Sequence, residues 1–291
     1  MLKSSASSIR DKNMKNLLKC IIVLAIVMLW FNDSPKADSF LSAGDVAGIS
    51  VGTATLSFSG YYLRRYDTTR TAKISTTLPM DNAMMKLIGG SFYPGKTNFL
   101  DNHFGSAVTP VSGAVILTIA NLSHINHQKS KFYFQDLFLY TSGIIATKGV
   151  TDLTKGFFTR PRPYIASVPM EMRTSKDFIT DRSSFFSGHT SGAFFAVSYL
   201  NMRIRSIMRS EMSSQGYRDY RWISPTLLYS WATFVGMSRI HAYKHYFSDI
   251  LFGAAAGYLM AELFYSFGKS EELNMGNSEV SQMIIQLNFS F

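Results

Sequence analysis

An apolar segment that follows a cluster of polar residues constrains the fold more than any other stretch of this chain. Residues 250–267 (ILFGAAAGYLMAELFYSF) space small and apolar side chains as a helix does, so the sequence predicts a helix that starts near His245. Residues four apart share a helix face, so Asp249 would lie beneath His245 and accept its ring N–H. The other ring nitrogen of His245 would then be free as a nucleophile. Arg239, six residues upstream, has a planar guanidinium suited to phosphate oxygens, although such residues can also serve only to cap and pack a helix.

Two upstream motifs carry polar residues beside other predicted helices. A Lys-x6-Arg-Pro motif begins at Lys155, and a Ser-Gly-His motif begins at Ser187 and opens an apolar helical stretch. The cluster described above reads Ser-Arg-x5-His-x3-Asp and begins at Ser238. In this order, over about residues 105–267, the three motifs resemble the signature of the type 2 phosphatidic acid phosphatase and vanadium haloperoxidase superfamily.

The resemblance implies a role for each matching residue. His245 would attack phosphorus and form a phosphohistidine, with Asp249 orienting it, and His189 would protonate the leaving oxygen and then activate water. Residues of all three motifs would surround the phosphate: Lys155, Arg162, Ser187, Gly188 and Arg239. Because three cations already stabilise the charge on the phosphoryl oxygens, the resemblance implies no metal ion and no other cofactor.

Three residues in or beside the motifs do not fit the family pattern. Phe186 precedes Ser-Gly-His where the family usually has proline, and since that proline contributes no catalytic atom, we expect altered substrate contacts and retained chemistry. Arg160 is close to the first motif, but only Arg162 has the family spacing from Lys155. We therefore interpret Arg160 as a supporting cation or a substrate contact. His241 matches no family position, and we interpret it as a solvent-exposed loop histidine.

The predicted helices and their short connectors favour an all-α fold, an antiparallel helical bundle. His189 and His245 each begin a predicted helix, whereas Arg239 ends one. Arg162 follows another. In an antiparallel bundle these ends meet at one pole, so the active site would be formed by helix ends. Helix N-termini carry free N–H groups and partial positive charge, which suit phosphate.

Four regions follow from the composition along the chain. They are a signal peptide or N-terminal anchor (1–43), an N-terminal helical and loop region (44–104), the phosphatase helical core (105–267) and a polar tail that ends in a short strand (268–291). A basic start and a short apolar run favour a cleaved secretory signal in the first region, with an uncleaved anchor as the alternative. The strand is predicted from alternating apolar residues near the C-terminus.

Composition also narrows the function. The formal charge of +10 favours anionic partners, but the basic residues are scattered and no nucleic-acid-binding motif is present, so nucleic acid is not an expected partner. The single cysteine, Cys20, lies in the first region, so an exported mature chain would have no thiolate nucleophile. We therefore predict a metal-independent phosphomonoesterase or pyrophosphatase of the acid-phosphatase type, acting on a phosphorylated small molecule or, preferentially, a lipid phosphate. The alternatives are a vanadate-dependent haloperoxidase and a non-enzymatic helical membrane protein.

Export through the first region would place the active site in the periplasm. The connector 203–221 has an excess of arginines, so in an inner-membrane protein it would be cytoplasmic and the motifs periplasmic. Lys148, Asp152 and Glu262 would be costly inside lipid, and the mean hydropathy is only +0.05. These charges favour a periplasmic domain that can associate with the membrane over an integral one.

Overall fold

The computed structural model describes residues 41–66, 72–73, 77–90, 104–122, 130–166 and 178–288 of the 291-residue chain. Within these residues the chain is helical apart from one short pair of strands and the connecting turns, which confirms the all-α prediction. In chain order the elements are α1 (Ala43–Tyr66), β1 (Ala72–Lys73), α2 (Pro79–Ile88), a π-helical turn (Phe104–Val108), α3 (Thr109–Leu122), α4 (Ser130–Phe157), β2 (Phe158–Thr159), a 3-10 turn (Pro163–Ala166), α5 (Phe178–Asp181), α6 (Gly188–Glu211), α7 (Ser214–Tyr220), α8 (Ile223–His241) and α9 (Phe247–Asn288).

The long helices α3, α4, α6, α8 and α9 alternate in direction, as an antiparallel bundle requires. Near the start of α6, Ser191 meets Thr151 of α4, with 3.0 Å between the two hydroxyl oxygens. Further along α6, the Tyr199 ring lies against Tyr140, which comes earlier in α4. Residue numbers therefore decrease along α4 in the direction in which they increase along α6, so the two helices are antiparallel.

Helix α6 is the centre of the bundle and packs against α3, α4, α8 and α9. Helix α9 runs parallel to α6 and very close to it, because glycines face α6 at two successive turns. A Cβ atom at Gly253 would lie 2.8 Å from the Ser187 carbonyl oxygen, and one at Gly257 would lie 2.2 Å from that of Ser191. The N-termini of α6 and α9 consequently lie side by side.

The region before the core is built onto the bundle by α1 and α2. Helix α1 packs along α4, where a Cβ atom at Gly60 would lie 2.4 Å from the Gly149 carbonyl oxygen. Helix α2 lies against the turn between α8 and α9: the Gly90 N–H donates to the His241 carbonyl at 3.0 Å. The strand pair β1–β2 is parallel and joins Ala72 to Phe158. These contacts bring residues 72–73 and 77–90 to the pole where the three motifs lie.

The C-terminal tail differs from its prediction. Helix α9 continues to Asn288 in place of the strand expected at the C-terminus, and residues 289–291 lie outside the described part of the chain. The physical reason is that a lone strand leaves its backbone N–H and C=O groups unpaired, whereas a helix pairs them within itself. The signal or anchor predicted for residues 1–43 falls almost wholly outside the described residues and stays a prediction.

Candidate active site

The ends of four helices carry the motif residues to one pole of the bundle. Lys155 is in the last turn of α4, and Arg239 is in the last turn of α8. His189 is in the first turn of α6, and His245 lies in the turn that leads into α9. The first two motifs are in direct proximity, since a Cβ atom at Gly188 would lie 3.7 Å from the Lys155 ammonium nitrogen.

His245 is buried, with 1% of its surface exposed, and its ring orientation is fixed by the backbone. Its Nδ1 atom lies 2.8 Å from the carbonyl oxygen of Ser184. A carbonyl oxygen can only accept, so Nδ1 carries the ring proton and Nε2 keeps its lone pair. The tautomer that nucleophilic attack requires is therefore the one this contact selects.

The hydrogen bond predicted between His245 and Asp249 does not form. The distance from Nδ1 to the nearer Asp249 oxygen is 3.7 Å, which is too long. Helix α9 begins at Phe247, so His245 precedes the helix and the rule that places residues four apart on one face does not apply to this pair. Asp249 Oδ2 instead accepts hydrogen bonds from the Ser184 hydroxyl at 2.6 Å and the Tyr246 N–H at 2.9 Å. Asp249 thus acts on His245 through Ser184.

The electrostatic environment keeps His245 neutral. Burial lowers the pKa of His245 well below its usual 6.5, and the positive charges of Arg162, Lys155 and Arg239 lower it further. The hydrogen bond to the Ser184 carbonyl opposes this shift, but burial is the largest cause. A neutral imidazole surrounded by cations can donate its electron pair to a phosphorus atom whose oxygens those cations attract.

Arg160 forms a buried bridge between two carboxylates. Its guanidinium binds Asp249 through Nη1 and Asp81 through Nη2, the second at 2.8 Å, and only 3% of the residue is exposed. The guanidinium also lies over the Tyr246 ring at 4.3 Å. Of the two interpretations given above, a supporting cation fits these contacts and a substrate contact does not.

Asp81 is a residue of this site that the sequence did not reveal. It is fully buried at the start of α2, and its carboxylate accepts from the Ser248 N–H at 2.8 Å and the Ser248 hydroxyl at 3.0 Å. These bonds join α2 to the first turn of α9, beside the Arg160 bridge. Locally, Asp81 has only the pattern of a residue that caps a helix after Pro79, so no sequence signal connects it to the motifs.

The residues expected to bind phosphate differ in their surroundings. Lys155 and Arg239 are buried, with 5% and 2% exposed. Arg162 is partly exposed and donates from Nε to the Thr180 carbonyl at 2.8 Å. The Ser187 hydroxyl accepts from the hydroxyl of Thr190 at 2.9 Å and caps α6, a role in addition to the phosphate contact predicted for it.

His189 and His241 occupy different parts of this pole. His189 packs against the π-helical turn at Gly105. A Cβ atom at Gly105 would lie 2.6 Å from the Cβ atom of His189, so only glycine leaves enough space there for His189. His241 is exposed, as predicted, but it is the last residue of α8 and not part of a loop, and its Nδ1 lies 3.0 Å from the Ile88 carbonyl oxygen. Among the described residues there is no cluster of three or more His, Cys, Asp or Glu side chains that could hold a metal ion.

Comparisons with known proteins find similarity to a family over the segment that carries these motifs. Residues 136–271 match the sequence model of the PAP2 superfamily. Rat phospholipid phosphatase 1 is 24% identical over 202 residues, which cover 60% of this chain and 69% of that protein. Mouse phospholipid phosphatase 1 is 26% identical over 141 residues, covering 42% of this chain and 47% of that protein.

A solved structure is also similar. It is a transmembrane PAP2-type phosphatidylglycerolphosphate phosphatase from Bacillus subtilis, with 15% identity and a TM-score of 0.43, covering 77% of this chain and 96% of that chain. The helical bundle and the meeting of the motifs at one pole are observed directly in this chain. All three motifs fall within the segment that matches the PAP2 superfamily, and together with the phospholipid phosphatase relatives this match confirms the resemblance and the prediction of a phosphatase of the hydrolase class.

Proposed function

We propose that this protein hydrolyses lipid phosphates without a metal ion, through a phosphohistidine at His245. The observation that carries the proposal is the environment of this histidine. It is buried and neutral, its proton is held on Nδ1 by the Ser184 carbonyl, and three cations surround it. A surface histidine has none of these properties. Together they prepare Nε2 for attack on an anionic phosphoryl group.

The reaction would proceed in two displacements at phosphorus. In the first, the Nε2 lone pair of His245 forms a bond to phosphorus, the bond to the leaving oxygen breaks, and His189 gives that oxygen a proton. In the second, His189 takes a proton from water, the water oxygen attacks phosphorus, and the P–N bond breaks to release phosphate. Lys155, Arg162 and Arg239 would stabilise the charge on the phosphoryl oxygens in both steps.

The role of Asp249 in this proposal is to position other groups. Its carboxylate binds the Ser184 hydroxyl, and the carbonyl of the same residue binds His245. It also binds Arg160 and the backbone N–H of Tyr246, the residue before α9. Asp249 would therefore set the place of the nucleophile without contacting its ring.

A lipid substrate is supported by the apolar outer surface of the bundle. Large apolar side chains are widely exposed on four of its long helices, among them Phe58 on α1 (70%), Ile119 on α3 (62%), Leu227 on α8 (67%) and Leu259 on α9 (64%). A water-soluble bundle rarely exposes so many. Within the described residues, Phe247–Gly268 has the length and hydropathy to cross a bilayer, and only 28% of it is buried, unlike the core helix of a soluble protein.

Two of the three charges that argued against a membrane, Lys148 and Asp152, are compensated, and the third, Glu262, accepts a hydrogen bond from the Tyr258 hydroxyl at 2.9 Å towards the opposite pole. Asp152 binds Arg64 and Lys148, and Asp136 binds Arg203 at 2.7 Å. Paired charges at a helix–helix contact are less costly in lipid than isolated ones. We therefore propose that the bundle is embedded in the membrane, with the catalytic pole on the periplasmic side and the arginine-rich connector 203–221 on the cytoplasmic side.

The test is phosphate release by the full chain in detergent, with EDTA present. The panel comprises para-nitrophenyl phosphate, phosphatidic acid and a prenyl diphosphate, and His245→Ala is compared with His241→Asn. His241 is an exposed histidine at the same pole that takes no part in the mechanism, so its variant controls for damage to this end of the bundle. We expect release with the wild type and His241→Asn, and only the buffer rate with His245→Ala.

The intermediate can be tested separately with His189→Ala. Para-nitrophenolate leaves without needing a proton, so this variant should still be phosphorylated by para-nitrophenyl phosphate but should not be hydrolysed. Mass spectrometry should then find one phosphoryl group on the chain, stable to base and labile to acid. Activity in His245→Ala, or loss of activity on EDTA treatment that added metal restores, would refute the mechanism. A preference for water-soluble esters over both lipids would refute the substrate class alone.

A further inference from the structure

A pocket of about 710 Å³ opens at the pole opposite the catalytic site. It lies between the C-terminal half of α6, the start of α8 and the part of α9 around Glu262. At about 1.5 Å per residue, Arg205 in this pocket is about 24 Å from His189 along α6. A phosphoryl group at His245 cannot reach this pocket, so the pocket is a separate feature of the molecule.

Three arginines converge on the pocket, one of them from a different element. Arg205 and Arg209 come from α6 and both donate to the Tyr217 hydroxyl, at 3.3 and 3.0 Å. Arg221 precedes α8 and lies over the Trp222 ring at 4.9 Å. Among the described residues, none of the three has a carboxylate within ion-pair distance, and the buried Nε atoms of Arg205 and Arg221 have no hydrogen-bond acceptor.

Neighbouring arginines outside the pocket are satisfied within the protein. Arg203 turns to the other side of α6 and binds Asp136 at 2.7 Å. Arg218 donates to the Gln215 side chain at 2.6 Å. A buried donor without an acceptor costs about 1–3 kcal/mol. The arginines at the pocket therefore differ from Arg203, whose charge a carboxylate neutralises, and an anion would supply both that charge and an acceptor for the buried Nε atoms of Arg205 and Arg221.

One acidic residue, Glu262, also lines the pocket. It accepts a hydrogen bond from the Tyr258 hydroxyl at 2.9 Å, on the α9 side. Three guanidinium groups against one carboxylate leave the pocket with a net positive charge. A monoanionic or dianionic group can consequently bind against the three arginines while Glu262 stays with Tyr258.

We propose that this arginine pocket (Arg205, Arg209, Arg221 and the side chains around them) binds the phosphate of an anionic phospholipid head group. Guanidinium forks match phosphate oxygens in geometry and charge. Trp222 lies at the rim, and tryptophan favours the boundary between lipid and water. Basic pockets between helices on the cytoplasmic side of a membrane are suited to anionic head groups.

The surface beside the pocket fits the rest of such a lipid. Leu227, one turn beyond the start of α8, and Leu259, one residue after Tyr258, are exposed apolar side chains on the two helices that border the pocket. The acyl chains would lie along them. The binding site uses none of the catalytic residues. It rests on the proposed membrane placement but not on the proposed reaction.

Native mass spectrometry of the full chain in detergent tests the proposal. The probes are dioleoyl-phosphatidylglycerol, dioleoyl-phosphatidylcholine and sn-glycerol 3-phosphate, the last offering the phosphate without a lipid. The triple variant Arg205→Gln/Arg209→Gln/Arg221→Gln is compared with Arg218→Gln, which removes a charge from the same pole outside the pocket. Arg209→Gln alone, at an exposed position, serves if the triple variant does not fold. Turnover of para-nitrophenyl phosphate reports whether the catalytic pole is intact.

The wild type and Arg218→Gln should hold one more phosphatidylglycerol than the triple variant, and should bind that lipid at least tenfold more tightly than phosphatidylcholine. The single variant should weaken this binding several-fold, and the KM for para-nitrophenyl phosphate should stay unchanged in all of them. Equal binding of the two lipids, or binding that survives in the triple variant, would overturn the proposal. If sn-glycerol 3-phosphate binds as tightly as phosphatidylglycerol, the pocket is a site for free phosphate esters and the lipid assignment is overturned.

Discussion

Replacing Asp81 with asparagine removes one charge from the buried bridge beside the catalytic pole. The side chain keeps its size and one oxygen for the Ser248 N–H, but Arg160 loses one of its two carboxylates. Breaking a buried ion pair by removing one partner costs about 3–5 kcal/mol. Because Arg160 keeps Asp249, we expect the lower end, a loss of about 3 kcal/mol in the free energy of unfolding.

The same substitution should reduce catalysis in the molecules that remain folded. Asp81 holds the first turn of α9 through Ser248, and that turn carries Asp249, which positions Ser184 and, through it, His245. A displacement of about 1 Å at a reacting group can cost about 10²-fold in rate. We therefore expect kcat for para-nitrophenyl phosphate to fall by about 10- to 100-fold, with a smaller change in KM because the three phosphate-binding cations remain.

Asp136→Asn is the matched control for this prediction. Asp136 is also a buried carboxylate that pairs with one arginine, Arg203, but it lies towards the opposite pole. Chemical unfolding in detergent, followed by tryptophan fluorescence, should give both variants a similar loss of stability. Only Asp81→Asn should lose kcat per folded molecule. Equal kcat in the two variants would show that Asp81 only stabilises the fold, and a stability loss below about 1 kcal/mol would refute the buried bridge.

Three further outcomes follow from the site. In a pH–rate profile, the fall of kcat/KM on the acid side should occur well below pH 6.5. The reason is that burial lowers the pKa of His245, so that the nucleophile stays unprotonated as the pH falls. A fall in kcat/KM centred at or above pH 6.5 would contradict this. Gly105→Ala should lower kcat at least tenfold, because the new Cβ atom would lie 2.6 Å from the Cβ atom of His189. Gly44→Ala is the control: there is room for a methyl group at that position, so kcat should not change. Ser187→Ala and Ser213→Ala should each cost about 1 kcal/mol in the free energy of unfolding, because each removes the cap of a helix, α6 or α7. If the Ser187 hydroxyl also binds phosphate, only Ser187→Ala should raise KM.

The sequence predicts the helices and the pole at which their ends meet, because both depend on local patterns. Apolar periodicity marks the long helices, and the prolines on either side of Arg162 predict that α4 ends before them, as it does at Phe157. Once the helices alternate in direction, the motifs at their ends must converge. The sequence therefore predicts one shared site for residues that are far apart along the chain: Lys155, Ser187 and Arg239.

The contacts that order the site are harder to predict, because they are tertiary. Asp81 is 167 residues from Ser248, and only the packing of α2 against α9 brings them together. The pairing of His245 with Asp249 was wrong in detail because it assumed that the helix includes His245. Whether a helix begins at residue 245 or 247 is within the ordinary uncertainty of a boundary, yet it decides which group holds the imidazole.

The direction of each helix suits the group that it carries to the catalytic pole. Helices α4 and α8 arrive with their C-terminal ends, where the partial negative charge of the helix favours a cation, and these are the ends that carry Lys155 and Arg239. Helices α6 and α9 arrive with their N-terminal ends, which offer N–H groups and partial positive charge to a phosphate. The close parallel packing of α6 and α9 at Gly253 and Gly257 places these two N-termini side by side. A bundle with either pair of helices reversed would keep the same residues at the pole but would destabilise its own cations and repel its substrate.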